Sequence, residues 1–218
     1  MPDVKHFDPE RVLDQVVELF WRRGAASTGI GEVVATTGLS RSSLYATFGG
    51  KHELYLAALR RYVERRSGPV LDALAGDDRG LPAIAAFFDR LIRARCDGPY
   101  ARWGCMVSNA HAGLPAVHNP DREDGDEGKN GQDAGVRRVL EQHHARLRKA
   151  MAAALEAARS RSQLRPGVDV EGTADALALL AYGVNLRSRA GAPAADLRAT
   201  VTAALAALSA PDPGVKER

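Results

Sequence analysis

The residues of this chain best suited to recognition chemistry lie between Thr28 and Lys51: Thr28, Arg41, Ser42, Ser43, Tyr45, Thr47 and Lys51. An arginine can fork onto the acceptor pair of a guanine, and small serines allow close approach while donating hydrogen bonds. Tyr45 and Lys51 suit phosphate oxygens, Lys51 because it opens the next helix, where positive field gathers. Thr28 precedes the first helix of the segment, so its hydroxyl is expected to cap that helix or to reach a phosphate.

The elements that must position them are two short helices at an angle. Ile30, Val33 and Val34 form the apolar stripe of the first, and Thr36-Thr37-Gly38 ends it, since glycine accepts positive φ at a helix C-terminus. Ser40 caps the second, worth about 1 kcal/mol over alanine. Leu44 and Phe48 recur at i, i+4 on its inner side, which leaves Arg41, Ser42, Ser43, Tyr45 and Thr47 outside. That is the arrangement of a helix-turn-helix, whose second helix enters the major groove; an ordinary helical hairpin with a merely polar face would give the same pattern. From Phe20 to Lys51 the segment carries Arg22, Arg23, Arg41 and Lys51 against Glu32.

Gly24, Thr28, Ile30, Val33-Val34, Gly38-Leu39-Ser40, Leu44-Tyr45 and the run Phe48-Gly49-Gly50-Lys51-His52-Glu53-Leu54 resemble the N-terminal signature of the tetracycline-repressor (TetR) family. The likeness runs from about Phe7 to Leu59. It implies an all-α homodimeric DNA-binding regulator, commonly a repressor of a palindromic operator that a small molecule releases. A three-helix helix-turn-helix domain (1–50) would precede a C-terminal helical ligand-binding and dimerisation domain (51–210), about nine helices in all. Gly104-Cys105-x-x-x-Asn109-Ala110 is similar to a run in a large subgroup of that family.

In the first helix Asp8 caps, Pro9 takes the first position, and Val12, Leu13, Val16, Val17 and Phe20 form the stripe. A fourth helix begins at Lys51, and Pro69 should kink or restart it. A fifth carries Ile84, Phe87, Phe88, Leu91 and Ile92, and a short sixth starts around Gly104. Residues 119–135 hold six acids against two bases and no large apolar side chain, so an acidic mobile loop is expected. A seventh helix follows from Val136. Its basic face, eight bases against two acids from Val136 to Arg165, reads as solvated surface.

The last two helices carry stripes broad enough to need cover on two faces. Leu177, Leu180, Val184, Leu197, Val201, Leu205 and Leu208 are the candidates for a homodimer interface, as the resemblance implies. Residues 1–8 and a tail at 211–218 read as disordered. An effector cavity among helices four to eight would draw on Tyr62, Phe87, Phe88, Leu91, Trp103, Met106, Asn109, His143, Leu147, Tyr182 and Asn185, a mixed lining suited to a small, largely hydrophobic molecule.

With 45% hydrophobic residues, a net charge of +3 and two cysteines, the chain reads as globular and cytoplasmic rather than as a disulfide scaffold. No signal-peptide or membrane-spanning pattern is present. Gly29-Ile30-Gly31 lacks the strand and third glycine of a dinucleotide loop. Cys96, Cys105, His111 and His118 lack metal-ligand spacing, Asp124–Gly135 fails the calcium-loop register, and no nucleophile elbow, phosphate loop or H-E-x-x-H supports an enzyme or a cofactor. Cys105 beside Trp103 would sense redox only if its thiolate were favoured. An activator or corepressor-dependent regulator of the same fold, or a helical ligand-binding protein without DNA binding, are the alternatives.

Overall fold

Asp8 opens the first helix as its sequence directs, its carboxylate accepting the Glu10 N–H at 2.9 Å with Pro9 in the first turn. The computed structural model describes residues 7–114 and 127–211, residues 127–133 as backbone alone. Among these, ten α-helices occur: α1 Pro9–Arg23, α2 Ile30–Thr37, α3 Arg41–Phe48, α4 Lys51–Tyr62, α5 Gly68–Ala75, α6 Leu81–Cys96, α7 Met106–Gly113, α8 Glu127–Ser160, α9 Val170–Arg189 and α10 Ala194–Ala206. A π-helical turn, Val63–Ser67, joins α4 to α5. The fold is all-α, with one isolated antiparallel bridge, Leu164 to Ser209. No helix of the described residues is long and apolar enough to cross a membrane.

About nine helices were expected, and the described residues hold them with the fourth divided by the π turn. The π turn begins at Val63, ahead of Pro69, which stands second in α5. The expected loop at 119–135 is also corrected. Residues 127–135 are the first turns of α8; 119–126 lie outside the described residues, as do 1–6 and 212–218. Glu127–Gly135 contains no proline, so a helix nucleated by the apolar stripe beyond Val136 propagates back through it one hydrogen bond at a time.

The chain divides into two compact units. The first runs to Ser67 and resumes at Cys105–His143, so the boundary expected at 50/51 falls inside it. Its buried side chains include Val12, Val16, Val17, Phe20 and Trp21 of α1, Val33, Leu44, and Leu54, Leu59 and Tyr62 of α4. Trp21, adjoining the stripe read from the sequence, is 1% exposed and meets Tyr62 edge-on at 5.0 Å.

The second unit, Gly68–Gly104 and His144 onward, is built on one core. Leu71, Ile84, Phe88 and Ile92 meet Leu147, Met151 and Leu155 of α8 and Leu177, Ala181 and Val184 of α9, with Leu197, Val201 and Leu205 of α10. Gln163 clips its loops: its side-chain oxygen accepts the Leu81 N–H at 2.8 Å and its amide donates to the Arg79 carbonyl at 3.0 Å. Gly80 between them has φ +77, and a Cβ there would lie 2.7 Å from the Ala158 Cα, so only glycine permits this approach.

The α9 and α10 stripes close the core of the single chain first. Leu177, Val184, Leu197, Val201 and Leu205 are at most 8% exposed inside a single chain and turn chiefly into its own core, with Leu177 also bordering a hollow between α9 and α10. A helix fully apolar around its girth buries one face internally, and the sequence pattern did not say which. Leu180 and Leu208 are half-buried, at a hollow of about 520 Å³ lined also by Thr173, Ala176 and Ala204. The outward residues are Leu179, 63% exposed, and Leu186, 42% exposed.

Candidate nucleic-acid interface

The turn between α2 and α3 is set by local chemistry. Gly38 adopts φ +71, ψ 6 and donates to the Val34 carbonyl at 2.9 Å, ending α2 with a left-handed residue. Thr37 ties the corner, donating its hydroxyl to the Val33 carbonyl at 2.8 Å and accepting the Leu39 N–H at 3.3 Å. Ser40 caps α3, its Oγ accepting the Ser43 N–H at 3.1 Å. Ser40→Ala should therefore lower stability by about 1 kcal/mol with the fold retained, as read by urea unfolding followed by circular dichroism.

α3 has one buried anchor, Leu44, 1% exposed. Arg41 and Ser42 are exposed at its start, Tyr45 is 41% exposed, and Ser43 and Thr47 are half-buried. The hydroxyls of Ser42 and Ser43 lie 2.8 and 2.9 Å from Ser40 Oγ, a cluster of donors at the helix N-terminus beside the Arg41 guanidinium. Lys51 is half-buried at the first position of α4. Neither Arg41 nor Lys51 forms an ion pair among the described residues, whereas Arg23 is engaged by Glu32 at 2.9 Å. The positive charge of the segment is thus presented chiefly at the two ends of α3.

Thr28 requires correction. It is 0% exposed, and its hydroxyl donates to the Gly24 carbonyl at 2.7 Å, one of the carbonyls that α1 leaves without an intrahelical partner. The cap of α2 falls to Gly29, whose N–H is taken by the Glu32 carboxylate at 3.0 Å. Thr28 is thus a joint between α1 and α2, with no hydroxyl to offer a phosphate.

The candidate effector residues fall into two sets. In the first unit, Tyr62 donates its hydroxyl to Cys105 Sγ at 3.5 Å and Asn109 donates to the Trp21 carbonyl at 3.4 Å. Met106 and His143 are buried there, as is Ser108, which the sequence pattern did not single out. In the second unit, Phe88 and Leu147 belong to the core, and Phe87 meets Phe88 edge-on at 5.3 Å with Leu91 half-buried beside them. Asn185 is occupied at both ends, donating to the Ala181 carbonyl at 2.8 Å and accepting from Arg95 at 2.9 Å. The Trp103 carbonyl accepts from Arg189 at 2.7 Å, and Tyr182 stacks on His144 at 5.9 Å. Cys105 is buried, and burial raises the pKa of the half-buried Cys96 thiol. No group of three or more His, Cys, Asp or Glu among the described residues could hold a metal.

The residue that the sequence left unremarked is Arg61. It is 8% exposed, bidentate to Asp14 at 2.7 and 2.8 Å, and also bound to the Glu10 carboxylate. The signal was present: Glu10, Asp14 and Glu18 recur at i, i+4, i+8 on α1, a row of acids facing the α4 stripe.

Residues 12–58 match the family model described as bacterial regulatory proteins, tetR family. The HTH-type transcriptional repressor ComR of Escherichia coli is 28% identical over 188 residues, 86% of this chain and 82% of that protein. YezE of Bacillus subtilis, an uncharacterised HTH-type transcriptional regulator, is 29% identical over 117 residues, and the chain spans 59% of its length. Among solved structures, a cysteine mutant of the TetR family transcriptional regulator CifR complexed with 26-base-pair operator DNA superposes with a TM-score of 0.73 at 22% identity, covering 94% of this chain and 98% of that one, which is a likeness of fold. The stretch matched by the tetR family model thus holds most of α1, all of α2 and α3, and the start of α4, with α3 anchored by Leu44 and Arg41 exposed at its start.

Proposed function

We propose that this chain is a cytoplasmic transcriptional repressor that binds a palindromic operator as a homodimer and is released by a small, largely hydrophobic effector. The observation that carries the reading is the outer face of α3, where Arg41, Ser42, Ser43, Tyr45 and Thr47 surround a helix held only by Leu44 and Phe48. Lys51 extends that face toward the phosphates. Repressors named among the relatives, ComR and BdcR of Escherichia coli, support the sign of regulation. CifR bound to operator DNA supports the partner. The Gly104-Cys105 to Asn109-Ala110 run supports a place in the subgroup that shares it. Tyr62, Met106, Asn109 and His143 in one unit, and Phe87, Leu91, Trp103, Tyr182 and Asn185 in the other, are the effector-lining candidates.

Two α3 helices on a symmetric dimer would lie about one helical turn apart, roughly 34 to 36 Å or slightly more, and so read a palindrome. The surface proposed to pair the chains is the outer side of α9 with the adjoining α10, through Leu179, Leu180 and Leu186 with Leu208. An effector would favour a conformer with altered spacing, a coupling of about 1–3 kcal/mol. The activator FasR of Mycolicibacterium smegmatis, 38% identical over 76 residues, favours a second reading, activation by the same fold. Deleting the gene separates them: neighbouring transcripts rise for a repressor and fall for an activator.

Selection of duplexes from a random pool by the full-length chain tests the function. Enrichment of a palindrome, weakened by one of a panel of hydrophobic effectors, is the expected outcome. Enrichment of nothing above the input pool would contradict it.

A further inference from the structure

We propose that Arg61 is a positioning residue for DNA reading: its buried guanidinium pins α1 to α4 and so fixes the angle at which α3 is presented. The inference rests on the DNA-binding function proposed above. Arg61 sits on the penultimate position of α4, and its fork closes on Asp14 at 2.7 and 2.8 Å while a further N–H meets Glu10. A planar fork on a carboxylate fixes direction as well as distance, which a lysine at the same place would not do. The arginine is the buried member, 8% exposed, whereas the Asp14 and Glu10 side chains are 61% and 65% exposed. A guanidinium placed under cover with acids at its rim is committed to one geometry, unlike an exposed pair that water can replace.

The π turn after Arg61 extends this contact. A π turn takes five residues where an α turn takes four, so Arg66 returns to the side that Arg61 occupies. There it meets Glu18 at 3.1 Å and lies over the Trp21 ring at 5.2 Å, while Arg65 approaches Glu10 at 3.9 Å. Glu10, Asp14 and Glu18 of α1 are thereby matched to Arg61, Arg65 and Arg66. α1 in turn packs on α2 and α4, and α3 packs on the same two helices, so a rotation of α1 on α4 carries the reading helix with it. Arg61, under cover and forked on Asp14, is thereby not offered to phosphate.

Asp14 is held below the ordinary carboxylate range, chiefly by the hydrogen bond from Arg61. The stabilisation this gives is present above the unfolded pKa and is lost only as pH falls through the lowered folded value. The clamp is therefore intact in any neutral binding buffer, and substitution is the way to open it.

The test uses the full-length chain, the palindrome it selects, and two duplexes with the half-sites one base pair closer or farther. The parent is expected to bind the shifted duplexes at least about tenfold more weakly, because bivalent engagement fails when the span is wrong. Asp14→Asn and Arg61→Lys should bind the selected palindrome about tenfold more weakly than the parent and lose most of the spacing discrimination, with the salt slope unchanged because no phosphate contact is removed. Asp14→Asn replaces a largely exposed side chain by one of the same shape, so it reports even if Arg61→Lys fails to fold. A merely structural role would lower the melting temperature of both variants and leave spacing discrimination intact at a temperature where they are folded; that result overturns the inference. Failure of the parent to bind any duplex would overturn the underlying function as well, and is told apart by the parent alone.

Discussion

Leu179→Asp combined with Leu186→Asp should convert the chain to a monomer in solution and weaken binding to a palindromic operator by at least about 100-fold, the bivalent gain being lost. The two leucines are seven residues apart on α9, hence on one stripe, and they are 63% and 42% exposed although α9 otherwise closes the core. Half-buried Leu180 and Leu208 border the same surface around the hollow between α9 and α10. In the proposed homodimer these leucines are expected to be covered, burial of each being worth about 1.5–3 kcal/mol. An aspartate in each place removes that gain and sets like charges across a symmetric contact. Neither side chain contributes to the chain's own core, so circular dichroism and thermal melting of the monomer should report a folded protein. Sedimentation velocity is the measurement; a double variant that remains dimeric places the interface elsewhere.

Arg41→Ala should cost roughly 10- to 100-fold on the selected operator and much less on an operator altered at the base pair that Arg41 contacts, as expected for loss of a bidentate base contact worth about 1–3 kcal/mol. Arg41 is exposed at the first position of α3, with no ion pair among the described residues to hold it back. Lys51→Ala provides the contrast. It should weaken every duplex alike and lower the slope of log K against log salt by about 0.9, the signature of one phosphate contact. Titration at three salt concentrations against the operator and its single-base variants separates the two roles. Should Arg41→Ala bind every operator variant as the parent does, the base contact belongs to another residue.

The helix-turn-helix was legible in the sequence because every decision in it is local. A glycine where the chain must turn left-handed, a serine one position before the helix, and Leu44 and Phe48 four apart each act within a single turn of backbone. The family signature covers the same stretch. Tertiary decisions were less legible. Thr28 looked like a cap, and the folded chain gives its hydroxyl to the Gly24 carbonyl while Gly29 and Glu32 close the start of α2. The α9 and α10 stripes announced two buried faces, yet assignment of Leu177, Val184, Leu197, Val201 and Leu205 to the inner one depends on where α6 and α8 lie. Arg61 escaped notice because an arginine near a helix end ordinarily faces water, and only the spacing of three acids on α1 said otherwise. The start of α8 at Glu127 was hidden by composition, since Gly128, Asn130 and Gly131 disfavour a helix that the following turns nevertheless propagate.

Two copies of this chain are expected to present two α3 helices to one duplex. Native mass spectrometry of the full-length chain mixed with its selected palindrome, and with the same duplex carrying one scrambled half-site, counts the chains on each. Two chains on the palindrome, with the half-site duplex left largely free at the same concentration, is the result predicted. One chain per duplex, or equal occupancy of both duplexes, would contradict it.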